Sequence, residues 1–113
     1  MPYMISREQL RSKNSTYLFQ GREQQDLPIS FFWIQARPGE GPRLHAHPYP
    51  EIFVVQEGHA TFTIGEDIIE VDSGQILIAP AHTPHTFLNS GEGLLRQINI
   101  HPSPQVITQW LES

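Results

Sequence analysis

Proline and glycine decide what this chain can fold into. Ten prolines and eight glycines are spread through 113 residues. Proline removes a backbone donor and glycine costs entropy inside regular elements, so both mark turns rather than element interiors. They recur at short intervals, which argues against long helices. The runs between them, such as Ile29–Arg37 (ISFFWIQAR) and Leu94–His101 (LLRQINIH), are rich in aromatic and β-branched residues, the composition of strands. About eight or nine short strands are expected, with no helical pattern alternating between them. The fold class predicted is all-β, a closed or sandwiched antiparallel barrel of jelly-roll type. At this length one domain is expected, burying roughly two-thirds of the unfolded surface.

Residues 1–28 read as an N-terminal arm. Ser6 and Gln9 are spaced as a capping box for a helical turn or two, Ser6 to about Arg11, and Tyr17–Phe19 fits a short strand. An arm of this kind packs on the outer face of a barrel or on a partner subunit. Residues 29–101 hold the barrel, and residues 102–113 form a tail. Its stretch Gln105–Glu112 fits either a short helix or an arm.

Several function classes are disfavoured. No cysteine is present, so disulfides and thiolate metal sites are excluded. The formal charge is -5, and Lys13 is the sole lysine, which argues against a nucleic-acid surface. No run approaches the ~18 apolar residues of a membrane helix, and no signal peptide is visible. A cytoplasmic location, no nucleic-acid partner and no membrane partner are expected. Nucleophile-elbow and phosphate-loop motifs are missing too.

The chemistry concentrates between Gly39 and Gly58. His45 and His47 are two apart on an extended segment and so project to the same face. Glu51 shares that parity across Pro48-Tyr49-Pro50, and His85 can reach them from another strand. Three imidazoles and a carboxylate suit one divalent transition metal ion: Fe, Mn, Ni, Co, Cu or Zn. An octahedral ion held by four such ligands keeps two positions open, the mark of a catalytic rather than a structural site.

These residues carry a resemblance. Gly39, five residues, His45-x-His47, three residues, Glu51, six residues, Gly58 resembles the first motif of the cupin superfamily. Gly74, five residues, Pro80, four residues, His85, three residues, Asn89 resembles the second. The fifteen-residue spacer between them is close to that of small single-domain microbial cupins. One position departs: His82 stands where the second motif usually has glycine. The resemblance implies a double-stranded β-helix of six or more strands, metal ligation at His45, His47, Glu51 and His85, and a homodimer. It leaves the reaction open, because cupins include dioxygenases, isomerases, decarboxylases and lyases as well as binding and sensing proteins.

Strand parity extends the inner face. Phe53 and Val55 follow Glu51, and Phe87 and Asn89 follow His85. On the last strand Gln97, Asn99 and His101 share one face and Ile98 and Ile100 the other. Either face can be the inner one, and the resemblance favours Gln97 and Asn99 inside. The expected pocket lining is Phe53, Phe87, Gln97, Asn99 and, at the mouth, Arg43, with Phe32 or Trp33 as a further wall. His82 and His59 read as surface positions, His101 as undecided and Tyr49 as a turn-shaping residue. The function expected is that of a metal-binding cupin acting on a small organic molecule. As an enzyme it would be a dioxygenase or an isomerase/lyase, and the alternative is a non-catalytic module that binds or senses a small molecule or metal. Apolar groups on the arm and on the tail, Val106–Leu111 with Trp110, favour a homodimer that covers them.

Overall fold

A computed structural model describes residues 2–111. Eleven strands lie in them: β1 (Arg11–Lys13), β2 (Thr16–Gln20), β3 (Ser30–Ala36), β4 (His45–Ala46), β5 (Glu51–Glu57), β6 (His59–Ile64), β7 (Asp67–Asp72), β8 (Ile76–Ala79), β9 (His85–Asn89), β10 (Leu95–His101) and β11 (Gln109–Trp110). They form two antiparallel sheets, ordered β1-β2-β3-β10-β5-β8 and β11-β4-β9-β6-β7. From β3 onward the chain passes from one sheet to the other at each step except the β6–β7 hairpin, as a double-stranded β-helix requires. β1 and β11, the two strands not foreseen, are short pairings at the outer edges. The expected N-terminal helix shrinks to one 3-10 turn, Arg7–Gln9, with Gln9 accepting from the Ser6 amide.

The tail is neither helical nor loose. Beyond Pro102-Ser103-Pro104 it runs extended, and Gln109–Trp110 pairs with Ala46 and His45 of β4. Glu112, the end of the expected helix, lies outside the described residues.

Alternation in β10 resolves the parity question. Leu95, Gln97, Asn99 and His101 are buried while Arg96 is exposed and Ile98 and Ile100 half-buried. Between the sheets, Phe53, Val55, Ala60, Phe62 and Leu95 lose essentially all contact with solvent. Phe62 packs edge-on to Phe53 at 4.8 Å and against Phe87 at 5.4 Å. Each such ring contributes about 1.5–3 kcal/mol by burial.

The outer face of the six-stranded sheet is apolar as well. Cross-strand register places Tyr17, Trp33, Ile98, Val54 and Ile76 in one row, and Phe19, Phe31, Ile100, Ile52 and Ile78 in the next. Trp33 therefore points away from the interior, where it meets Tyr17 and the Arg7 guanidinium. Ile76 and Ile78 are 66% and 59% exposed.

Turns follow the glycines. Gly58 takes φ +92 between β5 and β6, and a Cβ there would stand 2.5 Å from the Leu94 carbonyl oxygen. Gly41 serves close approach instead: a Cβ would lie 2.0 Å from the Phe87 oxygen. His82 adopts φ 63, the left-handed conformation that glycine would supply. Its amide donates to the His47 carbonyl at 2.8 Å, which ties this turn to the ligand segment. His82→Val should cost about 1–2 kcal/mol in urea denaturation, because a β-branched residue resists that conformation. Glycine at the same position should leave stability within about 1 kcal/mol, since relief of strain is offset by unfolded-state entropy.

Candidate metal centre

Both sheets supply the site. Glu51 opens β5, and His101 closes β10 beside it, one step past the Ile52–Ile100 pair. From the facing sheet, His45 on β4 pairs directly with His85 on β9. His47 follows β4 immediately, before the Pro48-Tyr49-Pro50 turn. All five side chains are buried. One ligand atom from each of His45, His47, Glu51 and His85 lies within 4.8 Å of the others.

Each of these three rings has its orientation set by a main-chain carbonyl. His45 Nδ1 stands 2.7 Å from the Arg43 oxygen, His47 Nδ1 2.8 Å from the Ile107 oxygen, and His85 Nδ1 3.0 Å from the Thr83 oxygen. A carbonyl oxygen only accepts, so each Nδ1 carries the proton and donates it. In the neutral ring Nε2 then offers a lone pair. His47 Nε2, buried and without a hydrogen-bond partner, stands 3.0 Å from Glu51 Oε1. His85 Nε2 is 2.9 Å from the same oxygen. The unpartnered His47 lone pair beside a carboxylate oxygen, with His85 Nε2 on the same oxygen through a proton that a metal can displace, calls for a cation among them. The residues fit a divalent transition metal ion.

The electrostatics agree. Burial pushes His45 down to about 4, which keeps it a neutral donor near pH 7. Burial would raise the Glu51 carboxyl, but His101, His47 and His85 against it outweigh that and hold it well below the ordinary carboxylate range. At His85 burial opposes the charged ring, and Glu51 with the Thr83 carbonyl overcomes this, so its pKa is raised.

A cavity of about 610 Å³ opens onto the cluster. Phe32, Ile34, Phe53 and Phe87 form apolar walls, Asn99 and His101 stand near the ligands, and Lys13, Arg43 and Trp110 are at its rim. The Arg43 guanidinium lies over the Trp110 ring at 4.9 Å, and that ring packs on His45 at 5.1 Å. Phe53, Phe87, Asn99 and Arg43 thus border the cavity. Gln97, expected among them, does not. It sits fully buried behind the wall and donates through Nε2 to Asn99 Oδ1 at 2.8 Å. The reason is strand geometry: Gln97 is two residues further from the cluster than Asn99, level with the packed core at Val55. Phe32, not Trp33, is the further wall.

Asn89 also faces inward, yet its work is structural. Its Nδ2 donates to the Ala36 and Gly93 oxygens, both at 2.9 Å, and its Oδ1 accepts from the Gly91 amide at 3.0 Å. It clamps the turn after β9 to β3. His82 is exposed and does not border the cavity, and His59 is held on the surface by Asp72 and Glu70 at 2.6 and 2.7 Å. Sequence reasoning left His101 undecided and gave Tyr49 a turn-shaping role, whereas the two meet at the site: Tyr49 Oη is 2.6 Å from His101 Nδ1. Their only sequence signals were shared parity with Asn99 for His101 and proximity to the ligands for Tyr49. Trp110 carried no signal for the site.

Residues 32–101, more than half of the chain, match the family model described as Cupin domain. No curated protein matches significantly. Among solved structures, an oxalate decarboxylase–formate complex from Lactobacillus farciminis superposes with a TM-score of 0.79 at 18% identity, over 92% of this chain and 34% of that one. An oxalate decarboxylase from Bacillus subtilis, studied for its Mn(II) centers, gives 0.78 at 19% identity, over 85% and 27%. The chain thus spans about a third or less of either decarboxylase. An uncharacterized conserved protein with a double-stranded beta-helix domain from Klebsiella pneumoniae gives 0.77 at 18% identity over 100% of both chains. At these identities the likeness is one of fold. No helix among the described residues is long and apolar enough to cross a membrane.

Asn89→Ala should lower stability by about 2–4 kcal/mol in urea denaturation, because it strands two carbonyls and an amide.

Proposed function

The chain belongs to the cupin domain family, and we propose that it holds one divalent transition metal ion through His45, His47, Glu51 and His85 and acts on a small organic acid in the cavity above it. The observation that carries this reading is the convergence of the three Nε2 lone pairs and the Glu51 oxygen at the base of an apolar cavity. The ion, when bound, supplies Lewis-acid polarisation of a substrate oxygen or, if redox-active, oxidative chemistry. The chain's residues do the rest. Phe32, Phe53 and Phe87 exclude water from the substrate's body. Asn99 offers a polar group near the ligands. Lys13 at the rim offers a cationic group to an anionic substrate, with Arg43 and the Glu40 carboxylate also bordering the cavity.

A reaction of lyase or isomerase type is the form best suited to a carboxylate held between such a rim and such a centre, and the oxalate decarboxylases of the same fold are compatible with it. A dioxygenase reaction is separated from it by oxygen uptake. The second reading, a non-catalytic binding or sensing module, is favoured by one observation. Besides the ligands, the histidine bordering the cavity is His101, and its Nδ1 is already engaged by Tyr49. Untagged protein should contain about one equivalent of transition metal per chain by elemental analysis. With that metal loaded, small mono- and dicarboxylates should release CO2 or rearrange without consuming O2. Stoichiometric O2 uptake would point to the dioxygenase, and inertness towards acids that nonetheless bind would point to the module.

His85→Ala should weaken binding of added Mn(II) at least tenfold in a competition titration. Wild-type affinity should also rise with pH. The raised pKa of His85 means that the metal-free ring keeps its proton at and somewhat above the ordinary 6.5, so the ion must displace that proton. The competition is full below that range and disappears as pH climbs through the raised value. Titrations at pH 6 and pH 8 read it, and equal affinities would contradict it.

We further propose that two copies associate through the apolar outer face of the six-stranded sheet. The Arg7 guanidinium covers its Tyr17–Trp33 end, and the other end, where Ile76 and Ile78 are exposed, is left for a like apolar surface that a two-fold axis supplies. Light scattering should give a dimer mass for the wild type and a monomer mass for Ile76→Glu/Ile78→Glu. A wild-type monomer at ~100 μM, well above the dissociation constants of stable interfaces, would refute it.

A further inference from the structure

We infer that His101 is a positioning residue for Glu51, locked by Tyr49 and the tail into the one tautomer that turns its ring proton towards the carboxylate, and that it is not a fifth ligand. The inference rests on the metal reading above and adds His101 and Ile107, which lie outside the ligand motifs, and Tyr49, whose identity the first motif does not specify.

The argument is one of hydrogen-bond polarity. The Ile107 amide donates to Tyr49 Oη at 3.1 Å. Tyr49 Oη keeps one proton to give, and His101 Nδ1, 2.6 Å away, is placed to accept it. Donation there leaves Nδ1 as the acceptor and puts the His101 ring proton on Nε2. That atom stands 3.2 Å from Glu51 Oε2, both side chains being almost wholly buried. The contact is not aligned as a hydrogen bond, and Nε2 has no other partner. The opposite tautomer would set a lone pair against a carboxylate oxygen in a dry interior, which costs free energy.

His101 is thus wired in the opposite sense to its neighbours. His45, His47 and His85 each give Nδ1–H to a carbonyl and point a lone pair inward. His101 receives at Nδ1 and points a proton inward. The two oxygens of Glu51 are divided accordingly: Oε1 faces His47 and His85, and Oε2 faces His101. Holding Oε2 turns Oε1 towards the cluster. One tail residue serves both wirings, since the Ile107 carbonyl accepts from His47 and its amide donates to Tyr49. The tail ahead of β11 is therefore part of the centre's support, beside the edge pairing of β11 itself.

Long-range 1H–15N NMR of the ring nitrogens tests this. In metal-free and in Zn(II)-loaded protein His101 should be the Nε2–H tautomer. In the Zn(II)-loaded form His45, His47 and His85 should all be Nδ1–H. Tyr49→Phe removes one oxygen and should release His101 to the other tautomer and weaken Mn(II) binding about tenfold. His101→Leu should weaken it about 10- to 100-fold, while His101→Gln, whose amide can donate to Oε2, should stay within about threefold of wild type. Unfolding midpoints of the metal-free variants show whether folding is retained. Should His101→Leu not fold, Tyr49→Phe and the tautomer decide alone. Wild-type protein that takes up neither ion overturns the metal reading. Uptake by wild type with an Nδ1–H His101, or with unchanged affinity in the Tyr49→Phe variant, overturns the relay alone.

Discussion

A carboxylate buried between two sheets is the constraint on which this structure turns. Glu51 is 2% exposed and remains ionised at neutral pH. Removing such a charge from water costs several kcal/mol unless neighbours compensate. Here the compensation comes from every side of the interior. His101 lies beside it in the same sheet, His85 faces it from the other sheet, and His47 reaches it from the turn between β4 and β5. Without close packing of the two sheets the histidines would not meet the carboxylate. The core of Phe53, Phe62 and Leu95 is therefore as much a part of the site as its ligands.

The turns are shaped to serve that meeting. Gly58 and Gly41 admit close main-chain approach where a side chain would collide with a carbonyl. His82 accepts a left-handed backbone and ties its own amide to the ligand segment through the His47 carbonyl. The departure from glycine leaves the turn in place and stores a modest strain in it. Asn89, at the end of the second motif, spends its polar atoms on main-chain groups of β3 and of the following turn. Motif residues thus divide between those that touch the cavity and those that hold the walls of the barrel in register.

Much of this was legible in the residues themselves. Period-two alternation puts His45, His47 and Glu51 on one face, and the second cupin motif marks His85, which comes from another strand. Phe53, Val55 and Phe87 follow the same rule, whereas on β10 alternation groups Gln97, Asn99 and His101 without saying which face is inner, and burial decides it. Gln97 shows its limit: alternation names the face of a residue but not its depth along the barrel, and two residues' rise separated the cavity wall from the packed core. The tail shows another limit. Gln105–Glu112 reads as a short helix or an arm, and what makes its Gln109–Trp110 a strand is an open edge on β4, which local sequence does not describe.

The sequence by itself determined the fold class and, through the spacing of the cupin motifs, the four candidate ligands, because turn chemistry and strand alternation are local and act over a few residues. Tertiary structure alone decided which atoms meet. It brought Ile107 to His47 and Tyr49, sixty and fifty-eight residues away in sequence, and set His101 against Glu51 across a pairing of β10 with β5. Hydrogen-bond polarity in a buried network depends on these long-range neighbours, since a ring nitrogen donates or accepts according to the atom opposite it. The ring proton of His101 is placed by that encounter and by no feature of its own stretch of chain.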